Sequence, residues 1–371
     1  MGLTSTALLG LAAALAGLLF GGTVWLWPRF AGRGWRWIAA RTGVLLAAQA
    51  ALFCTLLLAA NQNFGFYGSW SDLLGTETGQ GVVVDQTARG PLRLLGTEPV
   101  SAASPSAPSA GGQIQRIRIT GAVSRISSPA LLYLPPEYFQ QRYRQHTFPA
   151  AVVLTGYPGT AAALVNGLHY PQTAQRLVRG SRMPPMVLVM MRPTVVPPRD
   201  TECVDVPGGP QTETFLAEDV PRAVAGHYRV ARAPHSWGVI GDSTGGYCAL
   251  KLAVHHPGRY AAGAGLSPYY KAPEDPTTGD LFRGDQSARN HADLMWSMRH
   301  GPAPRTSLLV TTSRHGERNY RATRAFVNLV RHRGPTRISS IVLDTGGHNF
   351  NTWRREIPAA LEWLGGRLSG G

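Results

Sequence analysis

Gly241-Asp242-Ser243-Thr244-Gly245 places a serine between two glycines, after the short apolar run Trp237 to Ile240 and before the helix formers Thr244 to His256, which Pro257-Gly258 stops. A strand, a sharp turn and a helix in that order push the serine hydroxyl out above a sheet edge, and the glycines let the backbone crowd it. Such a hydroxyl is a candidate nucleophile. It is a weak one near neutral pH, so it needs a base, and the base needs an orienting acid.

The base is expected at His348. It follows Asp344-Thr345-Gly346-Gly347 after the last apolar strand run, and of the eleven histidines it alone has both the strand-end position and the flexible approach. The acid is expected at Glu317, the one carboxylate in Ser313 to Asn319 after the run Leu308 to Thr311. Asp344 is the first rival, with Asp293 and Asp280 behind it. Two backbone N–H groups should hold the oxyanion: that of Thr244, next to the nucleophile, and that of Tyr157 in Thr155-Gly156-Tyr157-Pro158-Gly159, where Pro158 has no N–H to give. Gly156, Asp242 and Glu202 are expected to border the substrate. Cys203 and Cys248 could form a disulfide if the domain faces an oxidising compartment, and two buried thiols are the alternative.

These residues need a scaffold that brings distant loops to one edge. From residue 114 onward, near-continuous apolar runs at 148–154, 186–191, 239–240, 261–266, 308–311 and 338–343 alternate with helical stretches near 172–179, 214–231, 244–256, 319–332 and 354–366. Before them, 116–120 and 131–134 read as a hairpin. That order predicts a mostly parallel, doubly wound α/β sheet with its ligands over the carboxyl ends of the strands. No cluster has metal-ligand spacing and no glycine-rich phosphate loop opens a helix, so neither metal nor cofactor is expected.

Residues 114 to 366 resemble the Putative esterase branch of the α/β-hydrolase superfamily, which includes esterase D-type enzymes and secreted mycolyltransferases. The resemblance is carried by Gly241-x-Ser243-x-Gly245, by Glu-Thr-Phe-Leu-x-Glu-Asp-Val-Pro at 213–221, and by Gly346-Gly347-His348-Asn349 with Trp353 beyond. It implies an α/β-hydrolase fold with Ser243 as nucleophile, His348 as base and Glu317 as acid, since mycolyltransferase-like members use glutamate there. Two features depart from the pattern. The oxyanion loop begins Thr155-Gly156 where many esterases have His-Gly, and the chain carries apolar N-terminal segments that secreted mycolyltransferases lack.

Residues 4–27 and 42–60 are uncharged and long enough to cross a bilayer, with Arg29, Arg33, Arg36 and Arg41 between them. The positive-inside rule puts that connection in the cytoplasm and the rest of the chain outside; a cleaved signal peptide is the competing account of the first run. The organisation expected is two transmembrane helices over 1–61, a juxtamembrane and Ser/Pro/Ala/Gly linker segment over 62–113, with an aromatic cluster at 64–70, and an esterase domain over 114–371. The chain's charge of +15 comes mostly from arginine. Its arginines lack an Arg-rich run or stacking motif, which argues against nucleic acid and leaves an anionic membrane, an envelope polymer or a plain solvated Arg-rich surface. The expected partner at the site is an ester, a lipid or acylated glycan, handled by hydrolysis or by transfer. A catalytically silent envelope scaffold is the reading of another class.

Overall fold

The computed structural model describes residues 5–30, 32, 34–64, 70, 90–100, 107–197 and 199–371. The chain divides into two compact units, Met1–Gln80 and Gly81–Gly371. In the first, α1 (Thr6–Leu26) and α2 (Trp35–Phe64) are long and apolar enough to cross a membrane by length and composition, with mean hydropathy of 2.0 and 2.1 in their most apolar stretches. The aromatic cluster expected at 64–70 and the linker residues 101–106 lie outside the described residues, apart from Trp70 and the backbone of Phe64.

The second unit is a nine-stranded sheet in the order β1-β2-β3-β5-β4-β6-β7-β8-β9. The strands are β1 Leu92–Glu98, β2 Gln113–Thr120, β3 Ser127–Leu134, β4 Ala150–Leu154, β5 Val187–Met191, β6 Trp237–Asp242, β7 Ala262–Leu266, β8 Ser307–His315 and β9 Arg337–Thr345. Pairing is antiparallel from β1 through β3 to β5 and parallel from β5 to β9. The central strands β4 and β5 are buried at every residue, which is why their sequences, Ala-Ala-Val-Val-Leu and Val-Leu-Val-Met-Met, do not alternate.

The domain boundary expected at 114 comes too late. Leu92–Glu98 pairs with β2 as an edge strand, and Pro108–Gly111 forms a helical turn, so part of the segment expected as a linker belongs to the sheet unit. An edge strand with one exposed face and an interrupted register, shifting between Leu94 and Gly96, leaves little periodic signal.

Helices cover both faces. Helix α3 (Tyr170–Arg179) and helix α8 (Phe350–Gly365) share one core with Tyr170, Leu177, Trp353, Ile357 and Leu364. On the other face lie α4 (Val220–His227), α5 (Thr244–His255), α6 (Leu294–His300) and α7 (Tyr320–Val330), packed through Val224, Leu250, Met298 and Phe326. Between β4 and β6 the chain order reverses direction across the sheet, and this switch point is where a doubly wound sheet opens a crevice. Helix α5 lies close enough there that a Cβ on Gly245 would stand 2.2 Å from the Leu154 carbonyl oxygen. Only glycine fits.

Candidate active site

Ser243 ends the tight turn between β6 and α5 with φ 52° and ψ −120°, a backbone that L residues rarely adopt. The turn is held because the Ser243 N–H donates to the Leu266 carbonyl at 2.9 Å on the neighbouring strand, while Tyr247 N–H caps back onto the Ser243 carbonyl. Strain of this kind persists only where the surroundings fix it, and it presents Oγ at the strand end.

His348 reaches that oxygen from the other side of the crevice. Its loop leaves β9, bends through Gly346 and Gly347, and enters α8 under the side-chain cap of Asn349 on Thr352. The imidazole Nε2 lies 2.8 Å from Ser243 Oγ, and the ring packs edge-on against Trp353 at 5.2 Å. Burial of the ring's inner edge lowers its pKa below the usual histidine value. A neutral imidazole on a serine hydroxyl is poised to accept its proton.

Glu317 sits in the loop after β8, buried, as strand order predicts. Its Oε2 accepts the Ser313 N–H at 2.7 Å and its Oε1 accepts the Ser267 hydroxyl. Burial raises its pKa, partly offset by those donors. No hydrogen bond joins it to His348 in this structure. The link is indirect: Trp353 Nε1 donates to Ser267 Oγ at 2.9 Å, so the residue that packs on the imidazole and the carboxylate share one serine. The rivals are engaged elsewhere. Asp344 points into solvent beside Arg314, Asp293 caps the N-terminus of α6, and Asp280 accepts the N–H groups of Phe282 and Arg283 in its own turn.

Of the residues expected to hold an oxyanion, Thr244 opens α5, where helix N–H groups have no partner within the helix. Tyr157 precedes Pro158 through a cis peptide bond and follows Gly156, where a Cβ would meet Ser243 Cβ at 2.9 Å. The loop therefore runs against the nucleophile. Asp242, expected to border the substrate, is instead buried with its Oδ2 on the Gly156 N–H at 3.0 Å, so it can act on a substrate only through that loop. Burial raises its pKa to about 7. Glu202 is also buried, its Oε2 accepting the Tyr269 hydroxyl, and burial with the nearby Asp200 raises its pKa to about 8. The loop carrying Asp200 and Glu202 is bonded to the nucleophile helix through a Cys203–Cys248 disulfide, Cα to Cα 5.7 Å.

Sequence reasoning passed over Ser267, Trp353 as a hydrogen-bond donor, Asp200 and Tyr269. Strand-end position was the available signal for Ser267 and Tyr269, since both directly follow β7. Among the described residues no group of His, Cys, Asp or Glu is arranged to hold a metal ion.

Comparison with known proteins places this fold. Its arrangement is similar to a ferulic acid esterase (TM-score 0.58, 19% identity, 69% of this chain and 98% of that one). It is also similar to an S-formylglutathione hydrolase from Agrobacterium tumefaciens (TM-score 0.57, 16% identity, 75% and 100%). A fluorophosphonate-binding serine hydrolase from Staphylococcus aureus aligns with TM-score 0.55 and 15% identity over 68% of this chain and 98% of that one. At such identities the likeness is one of fold. An uncharacterized protein of Corynebacterium glutamicum is 26% identical over 250 residues, 64% of this chain, and the match spans 57% of that relative's length. The sequence model of the family Putative esterase matches residues 127–364, from β3 into α8, and so takes in both Ser243 and His348. The chain belongs to the Putative esterase family.

Proposed function

We propose that the protein is a serine esterase or acyltransferase working through Ser243, His348 and Glu317, held to a membrane by α1 and α2 with the catalytic unit outside the cytoplasm. The observation that carries the chemistry is the 2.8 Å approach of His348 Nε2 to Ser243 Oγ on a strained turn. In this reading Oγ attacks the ester carbonyl while its proton passes to Nε2, and the oxyanion is held by the Thr244 and Tyr157 N–H groups. Collapse expels the alcohol, which takes the proton from Nε2, and leaves an acyl group on Ser243. Water or a second hydroxyl then attacks that acyl-serine with Nε2 again accepting the proton, giving acid or new ester. Glu317 orients the imidazole through the Ser267–Trp353 contact or by direct approach when substrate tightens the loops.

The substrate class proposed is an envelope lipid or acylated glycan. Its support is the pair of apolar helices and the arginines between them, which by the positive-inside rule leave the larger unit outward. An outward position also suits the Cys203–Cys248 bond. A fluorophosphonate probe should label the purified full chain, and Ser243→Ala should abolish labelling. Undiminished labelling of that variant would refute the assignment. Supplying an acyl ester with and without a sugar acceptor separates hydrolysis from transfer by the product formed.

A further inference from the structure

Between Leu294 and Arg333 the chain holds eight arginines and a single carboxylate, Glu317, which is buried and hydrogen-bonded. That leaves a formal +7 in this segment out of +15 for the whole chain. The segment is also one region of the fold: α6 and α7 cover the same face of the sheet, and β8 between them is its last strand but one. Leu294, Met298, Phe326 and Val330 turn inward to the core, so the arginines of the same helices are left outside. Arg299, Arg305, Arg318, Arg321, Arg324 and Arg331 are all exposed. Among the described residues only Arg314 of the eight has an ion-pair partner, Asp344 at 3.5 Å.

A surface that carries this much like charge repels itself, and surface ion pairs would ordinarily be interspersed to relieve it. Here nothing on the helices does so: α7 has Arg321 and Arg324 one turn apart on its solvent side and no acidic residue at all. The face is complementary to a dense array of negative charge. Two classes of polyanion present one, a bilayer of anionic lipid and a soluble polymer. The bilayer is favoured because the same chain carries two helices able to enter it, and a tethered domain meets its own membrane at high effective concentration.

We infer that the α6–α7 face is a docking surface for anionic lipid headgroups, which holds the esterase unit against the bilayer independently of its catalytic residues. This rests on the membrane reading of α1 and α2 but not on the catalytic reading.

The test uses the full chain reconstituted in nanodiscs of neutral phosphatidylcholine, mixed with separate vesicles of phosphatidylcholine alone or with about a third phosphatidylglycerol, and separated by flotation. The helices are then occupied, so flotation reports the basic face, whereas entry into the disc reports the helices; a chain that stays out of the disc is floated directly. Wild type should float with anionic vesicles, stay down with neutral ones, and be released by 0.5 M salt, since headgroup attraction falls off within a Debye length. Arg321→Gln/Arg324→Gln/Arg331→Gln should weaken flotation on the order of a hundredfold, taking ~1 kcal/mol per charge. A second variant, Arg299→Gln/Arg305→Gln, should weaken it about thirtyfold on the same scale. An unchanged circular-dichroism spectrum and thermal midpoint show that each variant is folded. Equal flotation with neutral vesicles, no flotation, or wild-type flotation by both variants would overturn the inference. Retention of wild type on a soluble polyanion without flotation would overturn it in favour of a polymer.

Discussion

The carboxyl of Asp242 and the backbone of Gly156 meet at 3.0 Å beneath the nucleophile, joining the residue before Ser243 to the loop that runs over it. The bond crosses from the end of β6 to the end of β4, the two strands that border the switch point. Asp242 is thereby a positioning residue for the Gly156–Tyr157 turn. Asp242→Ala should lower kcat about ten- to a hundredfold with KM little changed, because an oxyanion donor displaced from the transition state costs turnover before binding. Asp242→Asn keeps an acceptor and should restore most of it. Steady-state kinetics on a soluble acyl ester decides.

Glu317 offers a second test. Glu317→Ala should reduce kcat by roughly 10²–10⁴ if the carboxylate orients the imidazole, and leave fluorophosphonate labelling slow but present. Ser267→Ala removes the shared hydroxyl between Glu317 and Trp353 and should have the same sign with a smaller size. Wild-type turnover in Glu317→Ala would remove it from the mechanism.

The pH profile follows from His348. The base must be neutral to accept the Ser243 proton, and burial holds its pKa below 6.5. Turnover should therefore rise with pH through a midpoint below 6.5 and be level near pH 7–8, where the imidazole is already neutral. A rate profile whose acid limb lies above 7 would contradict that lowered pKa.

Stability has its own focus behind the nucleophile helix. Lys251 of α5 is wholly buried, with Nζ 2.6 Å from Glu213 Oε2 and 2.6 Å from the Cys203 carbonyl, while His256 and His291 donate to the same carboxylate. Lys251→Met should cost about 3–5 kcal/mol in denaturant unfolding of the sheet unit, since it strands a buried carboxylate. Burial pushes the Glu213 pKa up, but Lys251 and the two histidines outweigh it and hold the group well below its usual value. Its contribution is thus complete above the unfolded carboxylate pKa and fades as pH falls toward the depressed folded one. In Lys251→Met that acid-side loss should shrink.

The sequence by itself carried the alternation of buried strands with helices and the candidacy of Ser243 and His348 as a reacting pair. Buried parallel strands such as β4 and β5 are apolar throughout, and a serine crowded by Gly241 and Gly245 or a histidine after Gly346-Gly347 announces backbone geometry that other residues resist. The edge strand β1 was illegible, because one exposed face and a shifted register erase the alternation that marks a strand. Side-chain direction was equally hidden: that Asp242 turns inward to Gly156, that Glu317 meets Ser267 and Ser313, and that Glu202 meets Tyr269 are all contacts between strand ends far apart in the chain. Local pattern fixes which residues stand at the rim. Only closure of the sheet decides which of them touch, because a carboxyl's partner is whichever donor the neighbouring strand happens to end on.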